Sequence, residues 1–248
     1  MFEGHFEGGR PVGMGTIRQD TLVLYRGGFV DGAPGHFGTY TLSRRGLTCD
    51  IAGPIDPEDG ITEGTLRCEH ELFGVGLYMG GLLEAQPHGT GILMWENGWF
   101  YSGDWVEGMR HGQGVLMGAF ANRYEGEFVD DKIQGYGVAI EDDGRVYAGQ
   151  WVDGSRKGAG VLTWPGGNPT DNVFAGGVRF EGEFSSHAEA EGTYSWADGR
   201  TFRGTVEGIG LGFRPKQGTL TDAEGRTRTV AYEGGEFVSI EPVPDGGR

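Results

Sequence analysis

Residues 124–137 read YEGEFVDDKIQGYG, and residues 147–160 read YAGQWVDGSRKGAG. The second stretch starts 23 residues after the first and keeps its aromatics and three glycines at the same offsets. Counted from the first aromatic, the unit has an aromatic at 1, Gly at 3, a large apolar residue at 5 and often Gly at 8. Gly at 12 and 14 and an apolar residue at 16 complete it. Tyr101, Gly103, Trp105, Gly108, Gly112, Gly114 and Leu116 fill every slot. So do Tyr147, Gly149, Trp151, Gly154, Gly158, Gly160 and Leu162, and again Phe2, Gly4, Phe6, Gly9, Gly13, Gly15 and Ile17. Tyr25, Tyr78 and Tyr124 (with Gly126 and Phe128) open copies with small losses. Weaker copies start near Leu47, Thr62, Phe180, Phe202 and Tyr232, for about ten units in all. A fixed period of this length is the mark of a stacked-repeat architecture.

Each unit reads as a β-hairpin. Positions 1, 3 and 5 alternate with polar residues, the period of a half-buried strand, and positions 12, 14 and 16 do the same. Asn97-Gly98, Asp143-Gly144 and Asp198-Gly199 lie between units and suit two-residue turns, which need positive φ. Glycines at 3, 12 and 14 leave room for the rings of positions 1 and 5 to lie over the neighbouring backbone. Two strands per unit at about 4.8 Å give roughly 10 Å per repeat, so about ten units predict a slender rod on the order of 90–100 Å long. Each unit then buries its rings only against its neighbours. The expected fold is all-β: an elongated, twisted antiparallel sheet of hairpins.

Composition agrees. The 51 glycines are about three times the ordinary share of roughly 7%. Glycine costs a helix about 1 kcal/mol per position relative to alanine. With ten prolines and no triplet period the chain is not collagen-like. The formal charge of −16 opposes non-specific phosphate contact and attachment to an anionic membrane leaflet. No run approaches the ~18 apolar residues of a membrane span, and MFEGHFEGG is no signal peptide. Cys49 and Cys68 are too few for a disulfide framework. These features together predict a soluble, cytoplasmic protein.

The phrase Y-x-G-x-W-x-x-G-x-x-x-G-x-G, complete at Tyr101 and Tyr147, resembles the MORN repeat (membrane occupation and recognition nexus). The resemblance covers nearly the whole chain, weakly at 44–73 and 165–179. It implies one hairpin per repeat, and a single array over 1–237 with a disordered tail at 238–248. Proteins similar to these include cytoskeletal scaffolds, radial-spoke head proteins of cilia, junctophilins, and the N-terminal regions of some methyltransferases and phosphoinositide kinases. The resemblance therefore points to a cytoskeletal or axonemal scaffold that binds other proteins. A membrane-surface adaptor for phospholipid headgroups is the alternative, and the targeting arm of an enzyme complex a third.

The residues offer little site chemistry. GVGLYMG at 74–80 lacks the spacing of a dinucleotide loop, and no phosphate-loop motif occurs. His88 and His111 fall one repeat apart, which at about 10 Å is too wide for two ligands of one zinc. His5, His36, His70 and His187 lie at other offsets. Carboxylates recur at outward positions, as at Glu125, Glu127, Glu181, Glu183 and Asp104, where they read as a solvated face. No catalytic, metal or cofactor site is expected, and the chain reads as no enzyme. Candidate partner-binding features are Phe2, which opens the first repeat beside an uncapped strand edge suited to self-association, and the insertion at 165–179 with Phe174. The third is a basic island at 200–228, carrying Arg200, Arg203, Arg214 and Lys216. The repeat core itself is expected at Tyr101, Gly103, Trp105, Tyr124, Gly126, Phe128, Tyr147, Gly149 and Trp151.

Overall fold

A computed structural model describes residues 1–19, 22–30, 32–44, 47–54, 63–70, 74–84, 86–118, 122–167, 176–186, 188–208, 214–233 and 236–239. The chain forms two compact units, residues 1–119 with 128–131, and residues 120–127 with 132–248. The first unit contains β1 (Phe2–Glu7), β2 (Arg10–Gln19), β3 (Leu22–Val30), β4 (Ala33–Arg44) and β5 (Leu47–Pro54). It continues with β6 (Glu63–His70), β7 (Gly74–Leu83), β8 (Gln86–Trp95), β9 (Phe100–Val106) and β10 (Met109–Met117). Each of these strands pairs antiparallel with the next. The residues of β11 (Arg123–Val129) are divided between the units.

The second unit contains β12 (Lys132–Ile140), β13 (Val146–Val152), β14 (Ser155–Thr163), β15 (Gly177–Phe184) and β16 (Glu189–Trp196). It ends with β17 (Thr201–Glu207), β18 (Arg214–Thr221), β19 (Thr227–Glu233) and β20 (Glu236–Ser239). Consecutive strands again pair antiparallel. The described residues contain strands and turns and no helix, so the fold class is the expected one.

The core is a ladder of rings. Tyr101 packs edge-on against Trp105 of its own repeat at 5.0 Å and against Phe128 at 5.2 Å. Trp105 is also met by Tyr78 at 5.3 Å, so a position-5 ring sits between two position-1 rings. Trp151 sits the same way between Tyr124 and Tyr147, and Phe184 between Tyr147 and Phe180. Such edge-to-face pairs add about 0.5–1.5 kcal/mol beyond the area they bury.

Two of the three repeated glycines make the floor beneath the rings, and the third does something else. A Cβ on Gly103 would lie 2.6 Å from the Gly114 Cα and 2.6 Å from the Tyr101 hydroxyl. Gly103 and Gly114 pair across the hairpin, as Gly149 and Gly160 do. Position 12 differs. Gly112, Gly135 and Gly158 take φ of 55°, 60° and 91°. At Gly112 and Gly158 the strand pairing slips between Gly103 and Asp104 and between Gly149 and Trp151. These glycines serve a β-bulge, where positive φ is required.

The turns correct a second expectation. Two-residue turns with positive φ at both positions fall inside the repeats, at Glu107-Gly108 (50°, 81°), Asp130-Asp131 (48°, 68°) and Asp153-Gly154 (49°, 76°). Between repeats, Gly98 N–H donates to the Trp95 carbonyl at 2.9 Å while Trp95 N–H donates to Trp99 at 2.8 Å. That closes a three-residue loop with only the glycine in the left-handed region. The same pattern recurs at Gly144 and Gly199. Asn97, Asp143 and Asp198 instead accept from the N–H two residues on, each at 3.1 Å.

The degenerate stretch is structurally regular. Gly38 pairs with Gly53 and Gly64 with Gly80, the glycine–glycine pairing of the intact repeats. Here the cysteine reading is corrected: Cys68 is disulfide-bonded. Cys49, the other cysteine of the chain, is its register partner on β5. The pairing also continues across the insertion, with Leu162 opposite Phe180, and Trp164 N–H donates to the Val178 carbonyl at 3.0 Å. Residues 168–175, which hold Phe174, and the tail beyond 239 lie outside the described residues.

Candidate interaction surfaces

Alternation gives each strand a ring-bearing face and an outward face. The ring face is closed. Tyr101, Trp105, Tyr124, Phe128, Tyr147 and Trp151 are all buried. Their polar ends are used locally. The Tyr101 hydroxyl donates to the Asp104 carbonyl at 3.0 Å, Tyr147 to Gln150 at 2.9 Å, and Tyr124 to Glu127 at 3.2 Å. Trp105 Nε1 donates to Gly91 at 3.2 Å and Trp151 Nε1 to Gly137 at 3.3 Å, each reaching the preceding repeat. Burial pushes the phenols of Tyr78, Tyr124 and Tyr147 up to about 12, and that of Tyr101 higher still.

Two arginines cap this face, at the tenth position of their repeats. The Arg110 guanidinium lies 5.8 Å from the Tyr101 ring centre and 5.4 Å from that of Phe128, and its Nε is 2.8 Å from Asp131. Arg156 is buried at 3% exposure, 5.0 Å from the Tyr147 ring, and ion-paired to Glu141. Burial brings its pKa down to about 10. Position 10 is Pro11, Pro34, Pro87 and Ile133 in the copies opened by Phe2, Tyr25, Tyr78 and Tyr124, so the repeat pattern gave no signal for either arginine.

The outward face of the first unit is where the structure departs most from the carboxylate reading. Across β7, β8, β9 and β10 the register lines up Leu77, Met94, Phe100 and Met117 in one row. Met79, Ile92, Ser102 and Val115 form the next. Met79, Met94 and Met117 are exposed, as is Trp99 at the adjoining turn. Charge returns at Asp104 and Glu96 on the borders. The outward row of the second unit runs Val138, Ala148, Val161, Glu181, Thr193, Arg203, Thr219 and Thr229, apolar on its first three strands and polar beyond them.

The basic island is largely engaged with acids. Lys216 lies 2.9 Å from Glu189 and 3.1 Å from Glu207, whose carboxylates hold its ammonium above the usual range. Arg200 pairs with Asp198 at 2.7 Å and lies 5.0 Å from the Trp196 ring. Arg203 and Arg214 are exposed, Arg203 between Thr193 and Thr219 and Arg214 opposite Glu207. Phe2 is half-buried, between Phe6 and Phe29. Among the described residues no group of three or more His, Cys, Asp and Glu side chains could hold a metal ion.

No curated protein matches the sequence. The family model of the MORN repeat matches it at six stretches: 2–19, 78–100, 101–119, 124–140, 147–168 and 180–199. Five of these stretches begin at the copies opened by Phe2, Tyr78, Tyr101, Tyr124 and Tyr147, and the sixth at the weaker copy opened by Phe180. Proteins built of this repeat are generally non-catalytic and serve protein interaction or membrane binding. On its repeated unit and on the hairpins that unit builds, this chain belongs to the MORN-repeat family.

Proposed function

We propose that this protein is a non-catalytic scaffold that holds other proteins against the outward face of its hairpin sheet. The observation that supports this is the pair of apolar rows on β7–β10, where Met79, Met94 and Met117 are exposed. Contiguous apolar surface of this kind marks interaction sites, and unbranched thioethers adapt to a partner's shape. The ring face cannot serve, because its aromatics are already buried against one another. A chain of net charge −16 favours a partner with basic flanks around its apolar contact. The cytoskeletal or ciliary setting comes from the family resemblance.

The test is cross-linking mass spectrometry in native extract, with a carboxylate-reactive linker that can anchor at Glu96 and Asp104. Links to another protein should form, and the double substitution Met94→Lys/Met117→Lys should remove them without changing the melting temperature. Links that are absent, or unmoved by the substitution, would overturn the reading. A phospholipid surface is the competing reading, since Trp99 and the methionines could enter a headgroup layer. Flotation with phosphoinositide vesicles at physiological salt would put that reading first.

A further inference from the structure

The loops 95–99, 141–145 and 196–200 close on the same hydrogen bonds, yet one of them carries a different side chain at its turn. In each, the first residue's N–H donates to the carbonyl of the fifth, and the glycine N–H donates back to the first carbonyl, at 2.8 to 3.2 Å. The residue before the glycine is Asn97, Asp143 or Asp198, and its side-chain oxygen accepts from the N–H two residues on at 3.1 Å. The glycine φ is 86°, 83° and 91° in turn. The backbone therefore holds an amide or a carboxylate at this place in one geometry. The two aspartates are ion-paired, Asp143 with Arg145 and Asp198 with Arg200, each at 2.7 Å. In the first loop Trp99 stands where those arginines stand.

Asn97-Gly98 is the one Asn-Gly pair of the chain. We propose that Asn97 is a site of spontaneous deamidation, converted to aspartate by attack of its own backbone. The Gly98 nitrogen, having lost its proton to solvent base, adds to Asn97 Cγ. The Cγ–Nδ2 bond breaks and ammonia leaves, which gives a five-membered succinimide. Water then opens the ring at Cγ and a proton returns to the Gly98 nitrogen, so that one water enters for each ammonia released. Negative charge develops on Oδ1 as the nitrogen adds, and the Trp99 N–H already donates to that atom, as a donor in an oxyanion hole does. Glycine places no Cβ beside the attacking nitrogen. Asn97 and Gly98 are exposed, so base and water reach them. The Gly98 bond to Trp95 must open first, which makes the step slow. The loop also selects the product. Opening the ring at the backbone carbonyl would leave isoaspartate, with an extra carbon in the main chain of a loop closed by two hydrogen bonds. Aspartate restores both bonds in the geometry that Asp143 and Asp198 hold. The new carboxylate has no arginine two residues on and lies beside Trp99, which is 43% exposed. The inference stands on the loop and is independent of the scaffold reading.

Ageing the full chain in mildly alkaline buffer tests it. Peptide mapping should find the amide lost at Asn97 before Asn122, Asn168 or Asn172, with an oxygen taken from solvent when the buffer is made in heavy-oxygen water. Aspartate should exceed isoaspartate in the folded chain and fall below it in urea, where no loop selects between them. Asn97→Asp should elute with the aged form on anion exchange and melt at the parent's temperature, since the loop already holds aspartate elsewhere. Asn97→Ser keeps an acceptor for the Trp99 N–H and should yield no acidic form at this loop. An aged chain with Asn97 intact, earlier loss at another asparagine, or the same product ratio folded and unfolded would each overturn the proposal.

Discussion

The Tyr147 hydroxyl donates to the Gln150 carbonyl at 2.9 Å while its ring covers Gly149 and Gly160. Tyr25, Tyr78, Tyr101 and Tyr124 make the same bond to the carbonyl three residues on. One residue therefore joins two jobs, filling the floor and satisfying an adjacent carbonyl. Tyr147→Phe keeps the ring and should cost about 1 kcal/mol, the net value of one such hydrogen bond. Gly149→Ala should cost more, about 3 kcal/mol, because its Cβ would meet the Gly160 Cα at 2.6 Å and backbone cannot step aside. Urea unfolding of the two variants checks the ranking.

Alkaline pH should unfold the chain through the same residues. The phenols of Tyr78, Tyr124 and Tyr147 titrate near 12 in the fold because burial disfavours the phenolate, against an ordinary value of 10.0. A raised pKa contributes stability that is whole below pH 10 and is lost as pH climbs toward 12, where the unfolded chain holds fewer protons. Arg156, depressed to about 10, pulls the other way, as one group against several. Thermal melts between pH 9 and 12 should fall steadily. A flat profile would show that the phenols ionise without opening the ladder.

A gain of stability is expected at the in-repeat turn of the copy opened by Tyr101. Glu107 holds φ of 50° beside Gly108 at 81°, and Asn-Gly is the favoured pair for this turn type. Left-handed backbone costs an ordinary side chain roughly 1–2 kcal/mol. Glu107→Asn should recover about 0.5 kcal/mol or more, read as a rise in the urea midpoint at constant slope.

The disulfide of Cys68 gives a redox prediction. Cys49 is the register partner of Cys68 and the other cysteine of the chain, and a bond between them would close a loop of about 20 residues, for which chain entropy suggests roughly 3 kcal/mol. Reduction with dithiothreitol should lower the melting temperature, and peptide mapping without reductant should recover residues 49 and 68 in one linked species. The bond persists in an oxidising compartment and is reduced in a reducing cytoplasm. Thiol labelling in native extract therefore also reports where the chain resides.

The repeat made the hairpins legible because glycine and ring positions are set by contacts within and between adjacent units. Phe180 opens a copy one residue short and still pairs with Leu162, so the alternation survived where the period slipped. What escaped the sequence were features that depend on conformation instead of residue type. Gly112 and Gly114 look alike in the repeat, yet one bends a bulge and the other clears a ring. Asp143-Gly144 resembles a two-residue turn, and only the hydrogen bonds of Glu141 show a third residue in the loop. The apolar outward rows were hidden for another reason. Leu77, Met94, Phe100 and Met117 are far apart in sequence and meet only through the register of four strands.

Arg156 supplies the last test, because a buried cation is tolerated only where it is paired. Arg156 is 3% exposed, and its guanidinium faces the Tyr147 ring at 5.0 Å and holds Glu141, whose other oxygen lies 2.6 Å from Arg145. Arg156→Ala removes the stem that covers the ring as well as the charge, and should cost about 3 kcal/mol. Arg156→Met keeps most of the stem and removes the desolvated charge, while Glu141 retains Arg145. Exchanging a buried ion for an apolar side chain of similar size is often close to neutral, so the expected loss is under about 1 kcal/mol. Equal losses in the two variants, measured by urea unfolding, would mean that the charge itself and not the packing of its stem holds this end of the ladder.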